Sequence, residues 1–158
     1  MTDFGTASEP ELAVMATVIG EYWIRHTRRK WECFEGDLTM AYVLGEIGAY
    51  NFSRMLKAPA SGDDLPAPIG EAQWCEQLKP CNAYSIAEAT GMPRETVRRK
   101  ILRLEELGWI RRAPEGSGVL ITPRCLRYVC EEMYPQAFFE VMETYRHLRR
   151  RLPDKWFG

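Results

Sequence analysis

Residues 85–123 read SIAEATGMPRETVRRKILRLEELGWIRRAPEGSGVLITP, and the order of apolar, basic and turn-forming residues in this stretch decides the fold. Ser85, followed three residues later by Glu88, has the form of a capping box, with Ile86, Ala87 and Ala89 as a small apolar face behind it. Gly91 permits the left-handed backbone of a tight turn between helices, and Pro93 suits the first turn of a second helix. That second helix is expected to run to Leu107 and to close on Gly108. Each residue of a helix turns the chain by about 100°, so Val97, Ile101 and Leu104 gather on one side and must face a core. Glu95, Thr96, Arg98, Arg99 and Arg103 then point away from that core, with Arg94 in the first turn. Two helices joined by a three- or four-residue turn containing glycine make a helix-turn-helix. Trp109–Ala113 and Val119–Thr122 follow as short strands, with the intervening 114–118 as their turn and Pro123 as the stop.

A basic outer face behind an apolar stripe is what a helix entering the major groove of DNA needs. Arginine can bond guanine through two parallel N–H groups there, and other basic groups can neutralise phosphates. The spacing lets Arg98 and Arg99 reach base edges, with Arg94, Glu95, Thr96 and Arg103 on the same surface. A solvated face on an ordinary surface helix would look the same, but the hairpin that follows at once turns the reading towards DNA. Its Arg112, and Ser117 in its turn, would meet the sugar-phosphate backbone or the minor groove.

The same residues resemble the winged helix-turn-helix of bacterial transcriptional regulators of the MarR and GntR types. The resemblance rests on Gly91-Met92-Pro93-Arg94-Glu95-Thr96-Val97 and on Leu104-Glu105-Glu106-Leu107-Gly108-Trp109-Ile110. It implies that Arg94, Thr96, Arg98 and Arg99 occupy a recognition helix and that Arg112 lies in the wing. Pro93 departs from the commoner serine; it keeps the helix start but offers no hydroxyl to a phosphate. Regulators of the MarR type flank the winged helix with dimerising helices, and this chain also has helical segments on both sides.

Outward from this stretch the charge changes. Residues 82–127 carry nine basic against five acidic residues, residues 1–81 seven against twelve, and residues 128–158 five of each, in a chain of net charge −1. One basic segment inside a near-neutral chain is the electrostatic footprint of a nucleic-acid surface. The five cysteines at 33, 75, 81, 125 and 130 form no CxxC pair, and the two histidines at 26 and 147 lie far from them in sequence. Reduced cysteines and no bound metal or other cofactor are therefore expected. No phosphate loop, GxSxG or HExxH motif points to an enzyme. No apolar run approaches a membrane span and MTDFGTASEPE is not a signal peptide, so a cytoplasmic protein is expected.

The expected class is mainly α with a small β-hairpin wing: a winged helix-turn-helix flanked by long N- and C-terminal helices. Leu12, Met15, Ala16, Ile19, Trp23 and His26 recur at helical spacing from Pro10 onward, ending near residues 33–36. Asp37 can cap a second helix over 37–57 that is apolar on more than one side. Residues 58–70, APASGDDLPAPIG, read as a linker, and a short helix is expected near 70–79. A last helix over 134–151 carries Phe138, Phe139, Val141, Met142, Tyr145 and Leu148. The domains expected are 1–57 for packing or dimerisation, 58–70 as linker, 71–124 for DNA and 125–158 as C-terminal helix. The function expected is sequence-specific binding of double-stranded DNA by a homodimer; nothing in the sequence identifies a small-molecule effector. The rivals are a winged-helix protein–protein assembly module and a plasmid or phage replication or partition protein using the same fold.

Overall fold

The computed structural model describes residues 7–53, 77–114, 116 and 118–157. The elements in order are α1 (Glu9–Cys33), α2 (Leu38–Asn51), α3 (Ala83–Thr90), α4 (Arg94–Glu106), β1 (Ile110–Arg112), β2 (Val119–Ile121), α5 (Pro123–Arg127), a π-helical stretch (Tyr128–Met133), α6 (Tyr134–Arg151) and a 3-10 turn (Asp154–Trp156). The protein is thus mainly helical with one small antiparallel hairpin. The expected linker 58–70, most of the expected 70–79 helix and Ser117 lie outside the described residues. The chain divides into two compact units, one of Asp37–Val129 and one joining Met1–Gly36 to Cys130–Gly158.

The first unit is built on α2, which packs against α3, α4 and β2. Asp37 caps α2, its carboxylate accepting from the Met40 N–H at 2.9 Å. Met40, Ala41, Val43, Leu44 and Ile47 are buried, so an all-round apolar helix becomes the centre of this core. The sequence grouping of α2 with α1 in one N-terminal segment therefore gives way to a different division. Alpha-helix α2 also stops at Asn51, with Phe52 and Ser53 in a turn. Val97, Ile101 and Leu104 of α4 are buried as their spacing requires, and full burial of each such side chain stabilises the fold by about 1.5–3 kcal/mol.

The start of α3 differs from expectation. Asn82, not Ser85, is the cap: its side-chain oxygen accepts from the Ser85 N–H at 2.9 Å. Two capping residues compete here, and the one three residues earlier extends the helix by nearly a turn. Ala89 accordingly falls on the exposed side, and only Ile86 and Ala87 are buried. Gly91 ends α3 at φ 68°, the left-handed conformation the turn demands. Beyond the hairpin, Pro123 both ends the strand and starts α5, where Thr122 caps the Cys125 N–H.

The hairpin pairs Ile110 with Ile121, Arg111 with Leu120 and Arg112 with Val119. On the other side of β2, Cys81 forms a single antiparallel bridge to Val119, with N···O distances of 3.2 and 2.7 Å. A methyl group on Gly118 would stand 2.6 Å from the Cβ of Pro80, so only glycine admits this approach. Asn51, wholly buried, completes the edge: its amide donates to the carbonyls of Lys79 (2.8 Å) and Val119 (3.3 Å), and its oxygen accepts from the Ile121 N–H (2.8 Å).

The second unit packs α1 against α6 in antiparallel sense, Arg29 pairing with Glu140 and Glu11 with Lys155 and Trp156. Bonds from the Ser8 backbone and then Lys155 hold the Glu11 carboxyl at about 2. The apolar set of α1 that recurs at helical spacing is divided: Leu12 is 47% exposed, Ile19 39% and Trp23 58%, while Met15 and His26 are half-buried. The packed side carries Val18, the one buried residue of α1, with Val14, Met15, Tyr22 and His26 half-buried beside it. Alpha-helix α1 has two apolar edges, and the one whose polar neighbours Glu11 and Arg29 find partners is the one that packs. No residue of α6 is buried; Tyr134, Phe138, Phe139, Val141 and Tyr145 all stand exposed.

Replacing Asn51 by Ala would leave the Ile121 N–H and the Lys79 carbonyl short of a partner in a buried setting. A loss of about 3 kcal/mol in urea-unfolding free energy is expected, since each unsatisfied buried group costs about 1–3 kcal/mol.

Candidate nucleic-acid interface

The candidate surface is the outer side of α4 with the start of α3 and the hairpin. Val97, Ile101 and Leu104 fix the inner side of α4 in the core, which forces Arg94, Glu95, Arg98, Arg99 and Arg103 outward. All five are exposed, while Thr96 is half-buried at the margin.

Ion pairs divide these arginines. Arg98 bonds Glu95 through Nε and Nη2 at 2.8 and 2.7 Å. Arg103 pairs with Glu106 at 3.2 Å, and Arg112, exposed in β1, reaches back to Glu105 on α4 at 3.0 Å. Arg94 lies over the ring of Tyr84 on α3, its guanidinium carbon 4.3 Å from the centroid. Arg99 has no hydrogen bond or ion pair among the described residues. Arg98 holds the Glu95 carboxyl below the usual carboxylate range, and Glu95 raises Arg98 in return, so both remain charged at neutral pH.

The structure therefore brings Arg94, Glu95, Arg98, Arg99 and Arg103 onto one helix face and hangs Arg112 from the hairpin beside them. Tyr84 was missed by the sequence reading. It is 47% exposed under the Arg94 guanidinium, and the neighbouring Glu88 carboxylate raises its hydroxyl above the usual tyrosine value. The signal for it was the four-residue step from Tyr84 to Glu88 on the outer side of α3, hidden by placing the cap at Ser85.

On the inner margin of α4, Lys100 is tied to Asp37 at the cap of α2. Arg124 lies over Trp109, 4.9 Å from its ring centroid, and donates to the Leu107 carbonyl at 2.7 Å, closing the C-terminal end of α4. Two of the nine basic residues of this segment, Lys100 and Arg124, are thus used for packing and not for the outer face. Cys81 and Cys125 are buried in this unit, and burial pushes the Cys81 thiol up to about 11, away from metal-binding or nucleophilic use. Among the described residues no group of three His, Cys, Asp or Glu is placed to hold a metal ion, and no helix is long and apolar enough to cross a membrane.

Comparison with protein-family models, with curated proteins and with solved structures finds no match to this chain.

The Asp37–Lys100 pair carries a pH signature. Burial opposes the charge on Asp37, but the bonds from Lys100 and the Met40 N–H outweigh it and hold the carboxyl low. A carboxyl lowered in the folded state stabilises above its unfolded value of about 4, and that contribution is lost as pH falls through the folded value. Asp37→Asn keeps a capping oxygen and loses the ion pair. It should cost about 1 kcal/mol at pH 7, with the gap to the parent closing in acid, as measured by urea unfolding across pH.

Proposed function

We propose that this chain binds double-stranded DNA sequence-specifically as a homodimeric transcriptional regulator, laying α4 in the major groove. The observation that carries the proposal is a helix whose inner stripe is fully buried and whose outer face presents Arg94, Arg98, Arg99 and Arg103. This helix follows a glycine turn from α3 and runs into a hairpin bearing Arg111 and Arg112. The succession α2, the Cys81 bridge segment, α3, α4, β1 and β2 supports the winged helix-turn-helix form of this reading. Alpha-helix α3 then steadies α4, and the hairpin is the wing that meets backbone or minor groove.

The second copy is called for by α1 and α6. Leu12, Ala16, Ile19 and Trp23 on α1, and Tyr134, Phe138, Val141 and Tyr145 on α6, follow alternating four- and three-residue steps, the spacing of a helix–helix seam. Both seams are exposed within their unit. Each helix also runs largely from acidic to basic: Glu9, Glu11 and Glu21 precede Arg25, Arg28, Arg29 and Lys30 on α1, with Glu32 following them, and Glu140 and Glu143 precede Arg146, Arg149, Arg150 and Arg151 on α6. An antiparallel second copy, one of the arrangements that a two-fold axis allows, would set those of these charges not already paired within the chain beside opposite ones. Two such protomers would read half-sites about one DNA turn apart.

A second reading, a protein–protein assembly module, draws on the pairing of Arg98, Arg103 and Arg112 with carboxylates, which leaves little net charge on this face. The two separate on random duplex DNA. The DNA reading expects a complex that weakens steeply between 50 and 200 mM salt, as counterion release dictates. An absence of any complex at low salt transfers the surface to protein assembly.

For the dimer, light scattering at micromolar concentration should give twice the chain mass. Phe138→Glu with Val141→Glu should return a folded monomer, because both side chains are exposed within the single chain. A parent monomer would remove the two-fold half-site arrangement.

A further inference from the structure

We infer that Glu95 is a positioning residue that holds Arg98 as the reader of a guanine edge, while the neighbouring Arg99 supplies charge to the phosphates. This deepens the proposed DNA-binding reading and rests on it.

Glu95 and Arg98 lie one turn apart on the outer face of α4, with side chains 64% and 59% exposed. A carboxylate on a surface meant for phosphates is repelled by them, so its presence in the first turn calls for a compensating use. The bonding pattern supplies one. A guanidinium has five N–H donors, and Glu95 takes the side-on pair, one on Nε and one on Nη2. The end-on fork, from Nη1 and the second Nη2 proton, is left open, and that fork matches guanine O6 and N7. Two bonds to one carboxylate also fix the guanidinium plane before DNA arrives, so less side-chain freedom is lost on binding.

The pairing has a second effect. Glu95 cancels the charge of Arg98, so this arginine adds little attraction to phosphates of arbitrary sequence. Arg99, adjacent and without an ion pair among the described residues, meets Glu95 only through longer-range attraction and keeps most of its charge for them. Two consecutive arginines that sequence spacing treats alike are thereby given different work: Arg98 recognises by geometry, Arg99 attracts by charge.

The test is selection of duplexes from a randomised pool by the full chain, followed by titration of selected and random duplexes at several salt concentrations. The parent should enrich a motif containing a fixed G·C pair. Arg98→Ala should erase the preference at that pair and weaken binding to the selected duplex roughly tenfold to a hundredfold. Arg98→Lys, which keeps the charge and lacks the fork, should lose the same preference with little change in salt slope. Glu95→Gln should narrow the preference at that pair, raise affinity for random duplexes and steepen the salt slope by about one. Arg99→Ala should retain the motif and lose affinity for both duplexes in parallel, with a slope shallower by about one. Circular dichroism checks folding, which these exposed positions should preserve. The inference is overturned if Glu95→Gln keeps both the parent's base preference and its salt slope, or if the preference follows Arg99 instead of Arg98. It is overturned as well if the parent binds random duplexes and enriches no motif. Failure of the DNA-binding reading itself looks different: the parent then forms no complex with any duplex at low salt, and this inference falls with it.

Discussion

The candidate interface depends on one buried amide. Asn51 sits at the last turn of α2 and bonds three backbone groups from two distant segments, Lys79 before α3 and Val119 and Ile121 in β2. Backbone polar groups in a core must find partners, and a two-stranded hairpin leaves one edge of β2 without any. The Cys81 bridge covers part of that edge, and the Asn51 side chain takes up the Ile121 N–H beside it. Through this arrangement the end of α2, the approach to α3 and the hairpin share one hydrogen-bond network. It ties the hairpin that carries Arg112, and the segment that leads into α3, to the end of α2.

The outer face of α4 obeys a second constraint, electrostatic in kind. Five basic residues within one thirteen-residue helix would repel one another, and two acidic residues of the same helix, Glu95 and Glu106, relieve that repulsion by pairing along it. The third, Glu105, holds Arg112 of the hairpin instead. Each such surface pair contributes at most about 1 kcal/mol to stability, so their larger effect is on where each guanidinium points.

Much of the central unit was legible because its periodicity admits one solution. Val97, Ile101 and Leu104 can share a side only on a helix, and Gly91 and Gly108 mark the ends of α3 and α4 with left-handed turns. What was not legible came from choices between near-equal local signals. Asn82 and Ser85 are both good caps, and only packing against α2 and α4 decides which one starts α3. Helix α1 carries two apolar edges, and the burial of Val18 in place of Ile19 is decided by packing against α6, more than a hundred positions away in sequence. The role of Asn51 had no sequence signal, because a lone asparagine near a helix end reads as a stop. The pairing of the arginines was equally hidden: spacing gives the face on which a side chain lies, but not which carboxylate holds it.

The hairpin order leaves β1 as a terminal strand. Such strands offer unpaired amides and carbonyls to any passing chain, and long apolar ones nucleate aggregates. Strand β1 is three residues long, and two of the three are Arg111 and Arg112. Charge and brevity there discourage strand-on-strand addition. A charged, three-residue edge is a poor template for a second strand, a consequence that holds whatever the protein binds.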